Sequence, residues 1–237
     1  VLEALARDPG LVDCVWVRQG AGGREVGEVL DACRAAKVRF RLVDGREMER
    51  LAPGNNQGVA ARLAVRGFLD LDELLAEAAQ APLPLLLALD QVQDPGNVGA
   101  LARTLYALGG AGMFFTKDHS ALIGPGAAKA SAGAVNLLPL AKVVNLAQSL
   151  DRCLDAGFAV YGAAALGPES KAVNAFTATL DLPAVLVLGG EAGGIRPNVA
   201  KRCQTWLGIP FGRDFDSLNV AQAGGILIAE FLRRHRK

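Results

Sequence analysis

Amides, carboxylates, a hydroxyl and a single guanidinium gather in three short segments in the second half of this chain. They are Asp94-Pro-Gly-Asn97-Val-Gly-Ala-Leu-Ala-Arg103, Leu188-Gly-Gly-Glu191-Ala-Gly-Gly-Ile195 and Asp216-Ser217-Leu218-Asn219-Val-Ala-Gln-Ala-Gly. Each lies at the end of an apolar run or the start of a helical pattern, the junctions where α/β proteins place their binding sites. Groups of this kind orient a ligand and stabilise charge. Arg103 can grip a phosphate or carboxylate through two parallel N–H donors; the plain alternative is a solvated arginine on a capped surface helix. Glu191 sits in a glycine loop, where a single carboxylate is more often structural than catalytic. The two histidines, His119 and His235, show no catalytic pairing, and no cluster of metal ligands is present.

The elements that position these segments follow from periodicity. Leu85–Asp90 is a continuous apolar run, as a strand buried on both faces requires. Further strands are predicted at 111–115, 134–138, 157–163, 184–189 and 204–209, alternating with helices at 97–108, 145–156, after Pro197, and at 219–235. That alternation predicts a parallel sheet with helices on both faces. Asn97 is placed as the N-cap of the first of these helices and Ser217 as that of the last. Gly224-Gly225 within a helix costs about 1 kcal/mol per glycine relative to alanine, which points to a close backbone approach, as at a subunit interface. The glycine loop after Leu188 lacks both the G-x-G-x-x-G spacing and a following Lys-Ser/Thr, so a nucleotide phosphate is not its natural ligand.

Residues 1–66 read as a separate small α/β unit, residues 67–82 as a linker holding a short helix capped by Asp70 or Asp72, and residues 83–237 as the main domain. A hydrophobic fraction of 51% supports a packed core, and a net charge of +1 gives no global signature for nucleic acid. Within the first unit Arg34, Lys37, Arg39 and Arg41 form a local basic run. Arg39 and Arg41 share a strand face and can grip phosphates; a solvated outer face is the alternative. The four cysteines, Cys14, Cys33, Cys153 and Cys203, are scattered, which suits buried thiols in a cytoplasmic protein rather than a disulfide framework. No apolar run approaches the ~20 residues of a membrane span.

Taken together, the three segments resemble the motifs of the SpoU/TrmH family of RNA ribose methyltransferases, within the SPOUT superfamily. The first resembles its motif at Asp94-Pro95, Asn97, Gly99-Ala100 and Arg103; the second at Gly189, Gly190-Glu191 and Gly194; the third at Ile209-Pro210 and Ser217-Leu218-Asn219-Val220. Ala221-Gln222 departs from the small or hydroxyl residue usual after the last motif. Residues 1–66 are similar to the RNA-binding domain of members that methylate a guanosine ribose in bacterial 23S rRNA. The resemblance implies a parallel-sheet SPOUT domain closed by a deep trefoil knot, and a homodimer whose sites draw on both subunits.

It also implies S-adenosylmethionine as cofactor, held by Gly189, Gly190, Ile209 and Leu218. Catalysis would fall to Asn97, Arg103, Glu191, Ser217 and Asn219, and RNA contact to the basic run with Lys117 and Lys129. No metal and no membrane is implied. The rival readings are the same reaction on tRNA and a non-catalytic RNA-binding assembly factor.

Overall fold

The structure, a computed structural model, describes residues 1–7, 9–54, 56–63, 67–116, 123–167, 170–191, 193–213 and 216–236. The chain divides into two compact units, Val1–Arg66 and Gly67–Lys237.

The first unit runs α1 (Leu2–Arg7), β1 (Val12–Arg18), α2 (Arg24–Ala35), β2 (Phe40–Val43), α3 (Gly45–Leu51) and β3 (Val59–Leu63). Its sheet has the order β2-β1-β3, with β2 parallel and β3 antiparallel to the central strand. Helix α2 carries Val26, Val29 and Cys33 at helical spacing, and these pack on Val15 and Val17 of β1. Asp44 opens α3 by accepting the Glu47 N–H at 2.8 Å, the usual work of an N-cap aspartate.

The second unit continues with α4 (Leu71–Ala78), β4 (Leu83–Asp90), α5 (Pro95–Ala107), β5 (Gly110–Thr116), α6 (Pro125–Ala130), β6 (Leu140–Val143), α7 (Leu146–Asp155), β7 (Ala159–Ala163), β8 (Val173–Asn174), β9 (Ala184–Gly189), α8 (Pro197–Ala200), β10 (Thr205–Gly208) and α9 (Val220–His235). Seven strands form one sheet in the order β6-β5-β4-β9-β7-β10-β8, and every pairing between them is parallel. Side chains alternate across a strand, so β4 divides its leucines. Leu85, Leu87 and Leu89 join Leu101 and Leu105 of α5 and Leu227 and Phe231 of α9. Leu86 and Ala88 face Leu74 and Leu75 of α4 and Leu150 of α7 on the other side. Burial on both faces is why this strand reads as an unbroken apolar run.

Three expectations change. The 67–82 stretch is not a linker: Leu71, Leu74, Leu75 and Ala78 of α4 are core residues, and the second unit begins at Gly67. Residues 134–138 do not form a strand. A 3-10 turn at Ala134–Asn136 buries Ala134 and Val135, and the strand follows as β6. Apolar content reported burial there without reporting its geometry. Helix α6 and the two-residue β8 carried no periodic signal long enough to read. Gly224 answers a need inside the chain: a Cβ there would lie 2.3 Å from Leu101 Cδ2 and 2.9 Å from Leu188 Cδ1.

The C-terminal end of α9 is fixed by charge. Glu230 is only 6% exposed. It accepts from Arg233 Nε at 2.7 Å and from Arg234 Nε at 2.8 Å, and Arg234 also donates to the Phe176 carbonyl. The hydrogen bond from Arg233 leads the causes that hold the Glu230 carboxyl at about 2, against 4.5 for an unperturbed group. A lowered native pKa contributes stability above the unfolded value and loses it as the pH falls toward the folded one. Between pH 4.5 and about 2, the unfolding free energy of the native protein therefore falls more steeply than that of Glu230→Gln, measured by urea unfolding across that range.

Candidate active site

Strands β4 and β9 end side by side, with Asp90 in register with Gly189. The chain leaves both ends into the first two polar segments. Asp94, not Asn97, caps α5: its Oδ2 accepts the Asn97 N–H at 2.9 Å, and Pro95 occupies the first turn. Proline fits there because that N–H has no helical partner to lose. The shift releases the Asn97 side chain, whose Nδ2 donates to Glu191 Oε1 at 2.7 Å.

The third segment behaves similarly. Asn219, not Ser217, caps α9, its Oδ1 accepting the Ala221 N–H at 2.9 Å. Its Nδ2 donates to both Asn97 Oδ1 and Glu191 Oε1, each at 3.1 Å. One carboxylate oxygen thus gathers both amides, and the two amides are joined to each other. The network ties together all three segments.

A buried carboxylate holds the loop that carries Glu191. Asp90 is fully buried. Its carbonyl accepts the Gly190 N–H at 2.8 Å. Its carboxylate accepts the Arg196 N–H and Nε, both at 2.8 Å, and pairs with Arg196 Nη2 at 2.7 Å. One residue therefore pins residues 190 and 196, the two ends of the loop. Within the loop, Gly194 N–H closes on the Gly190 carbonyl at 2.9 Å. Glycine is required at its base: a Cβ on Gly189 would lie 2.2 Å from the Gly194 carbonyl carbon, and one on Gly190 2.2 Å from the Gln91 oxygen. Burial, with the Asp90 charge as a lesser cause, pushes the Cys203 thiol up to about 12. Burial likewise pushes Cys153 to about 12. Neither is a thiolate nucleophile at neutral pH.

Two cavities meet at Glu191. The larger, about 510 Å³, is lined by Leu188, Gly189, Gly190, Leu207, Ile209, Phe211, Ser217, Leu218 and Leu227, with Glu191 and Asn219 at its polar side. The smaller, about 220 Å³, is lined by Gln91, Gln93, Asp94 and Asn97, and shares Gly190, Glu191 and Val220 with its neighbour. The sequence-predicted residues Gly189, Gly190, Glu191, Ile209, Ser217, Leu218 and Asn219 thus converge on one cavity, and Asn97 joins them through its hydrogen bonds.

Arg103 does not join them. It is exposed, makes no hydrogen bond or ion pair with another described residue, and lines neither cavity. Six residues of helix place it about 120° around and ~9 Å along the axis from Asn97. Lys129 is exposed at the end of α6, while Lys117 and His119 lie outside the described residues. In the first unit Arg34 pairs with Asp31 at 2.7 Å and lies over the Phe40 ring, 5.8 Å from its centroid. Lys37, Arg39 and Arg41 are exposed, and β2 starts at Phe40, just after Arg39. Sequence reasoning missed Asp90, Arg196 and Gln91. The one available signal was an aspartate closing an apolar strand, since a buried charge demands a partner.

Residues 84–229 match the SpoU rRNA Methylase family, and residues 1–65 match the RNA 2'-O ribose methyltransferase substrate binding family. The chain belongs to the SpoU rRNA Methylase family. It is 34% identical to the 23S rRNA (guanosine-2'-O-)-methyltransferase RlmB of Pseudomonas syringae pv. tomato, covering 98% of this chain and 92% of that protein. It is 29% identical to the putative TrmH family tRNA/rRNA methyltransferase YacO of Bacillus subtilis, over 99% and 92% of the two chains. The AdoMet-bound rRNA methyltransferase from Sinorhizobium meliloti superposes with a TM-score of 0.74 at 23% identity, over 99% of this chain and 85% of that one, a likeness of fold. Among the described residues no helix is long and apolar enough to cross a membrane.

Arg196→Ala removes the guanidinium from a carboxylate that stays buried. It is expected to cost about 2–3 kcal/mol in urea unfolding and to speed hydrogen exchange at the Gly190 and Gly194 amides, with Arg196→Lys recovering part of both.

Proposed function

We propose that this protein transfers a methyl group from S-adenosylmethionine to the 2′-hydroxyl of a guanosine ribose in 23S rRNA, acting as a cytoplasmic homodimer. The observation that carries this reading is the hydrogen-bonded set Asn97, Glu191 and Asn219 beside a largely apolar cavity, in a chain of which 98% aligns with a 23S rRNA guanosine methyltransferase.

The larger cavity fits the cofactor. It lies beyond the carboxyl ends of parallel strands, where open α/β sheets bind ligands. Its floor is bare glycine backbone, and Ile209 and Leu218 offer apolar walls. Gly189, Ile209 and Leu218, with Gly190 beside them, would hold S-adenosylmethionine. When bound, the cofactor supplies a methyl group already activated by its sulfonium.

The chain's own residues must align the acceptor and manage its charge. Alignment alone can supply ~7–11 kcal/mol of a barrier. Asn97 and Asn219, fixed through Glu191, would orient the ribose. The Ser217 hydroxyl would bridge to the 2′-hydroxyl or to a water. Arg103 would bind the neighbouring phosphate and stabilise charge developing on the 2′-oxygen; a guanidinium keeps its proton in a protein, so it is not the base. Because Arg103 is exposed, lines neither of its own chain's cavities and is unpaired among the described residues, it would complete the site of a second copy, which is the support for the dimer.

The trefoil knot is proposed on family membership alone, residues 84–229 matching the SpoU rRNA Methylase family. The first unit would hold the RNA through Arg34, Lys37, Arg39 and Arg41, with Lys117 and Lys129 contributing from the second.

Incubation with labelled S-adenosylmethionine and unmodified 23S, 16S and transfer RNAs, followed by mapping, tests the reading. Methylation of one 23S guanosine ribose is expected. Label on tRNA would move the substrate to the class in the name of the Bacillus subtilis relative, and label on no RNA with cofactor still bound would favour an assembly factor. Arg103→Ala is expected to lower transfer at least a hundredfold while leaving cofactor affinity and thermal stability unchanged.

A further inference from the structure

We propose that the smaller cavity is the subsite for the base of the acceptor nucleotide, and that Gln91, Gln93 and Asp94 select guanine there. This rests on the methyl transfer proposed above. Transfer must take place where the cofactor's cavity and the acceptor's meet, and the two cavities share Gly190, Glu191 and Val220.

The wall of the smaller cavity carries groups with no structural duty. Gln91 and Gln93 are exposed, and their amides bond no other described residue. Each offers a donor and an acceptor. Asp94 spends Oδ2 on the Asn97 N–H and keeps its other oxygen as an acceptor. Guanine presents one acceptor, O6, next to two donors, N1–H and the exocyclic N2–H. A glutamine N–H answers the first and the carboxylate answers the donor pair. Unstacked RNA bases are read along this edge.

The backbone adds a second observation. Gln91 has φ 60°, a conformation that disfavours side chains other than those of Gly, Asn and Asp. Its carbonyl lies where a Cβ on Gly190 would fall, so the strained residue is locked against the loop of Glu191. Strain of this kind gathers at ligand sites. Glycine would relieve it and would also remove the side chain, so stability and activity should part company.

The experiment compares wild type, Gln91→Gly and Gln93→Leu on a 23S rRNA fragment carrying either guanosine or inosine at the mapped position. Inosine lacks only the exocyclic amine. Wild type is expected to prefer guanosine at least tenfold in kcat/KM. Both variants should lose at least tenfold on guanosine and a similar factor on inosine, since both bases carry O6, with cofactor affinity within twofold of wild type. Gln91→Gly should melt no lower than wild type. Variants within twofold of wild type on guanosine, or a wild type indifferent to inosine, would overturn the subsite while leaving the reaction intact. A wild type that methylates no RNA would overturn the reaction and this inference together.

Discussion

The candidate site depends on one buried ion pair. Asp90 closes the central apolar strand, and its carboxylate has no access to water. A buried charge without a partner costs several kcal/mol, so the chain must return a cation to it. Arg196 does so from the far end of the glycine loop, with its guanidinium and its backbone N–H together. The Asp90 carbonyl holds the near end at Gly190. A loop of small residues has little order of its own; here its ends are fixed by hydrogen bonds to a single residue. Glu191 is thereby delivered to one place, and the two asparagines assemble on it.

That arrangement divides the labour between apolar and polar walls. The larger cavity is built from the strand ends of the sheet and the start of α9, and among the described residues only Glu191, Ser217 and Asn219 give it polar side chains. The smaller one is walled by amides and a carboxylate. Among the described residues, no histidine or cysteine lines either cavity. Chemistry at such a site relies on orientation and preorganised hydrogen bonding.

Much of this was legible in the residues. The parallel sheet followed from the apolar runs at Leu85–Asp90 and 184–189, and the site from the polar residues beyond them. Asn97, Glu191 and Asn219 of the expected site meet in one hydrogen-bonded network, without Arg103, and the caps of the two helices were misplaced. A capping residue and its neighbour two or three positions on are both polar, and sequence cannot say which oxygen takes the helix N–H. Asp94 and Asn219 take it, leaving the Asn97 side chain free. The Asp90–Arg196 pair spans 106 positions, a separation that only the folded sheet closes. The short helix capped by Asp70 was legible, but its place in the second unit was not, because its four buried residues are interrupted by acidic ones.

The most direct test of this account is a double-mutant cycle on methyl transfer with Asn97→Ala, Asn219→Ala and the pair. If Glu191 binds the two amides into one orienting unit, either single substitution disables it. The double variant should then lose about as much kcat as the worse single one, as residues acting together do. Losses that multiply would show that the two asparagines act separately, and would contradict the network as the organising feature of the site.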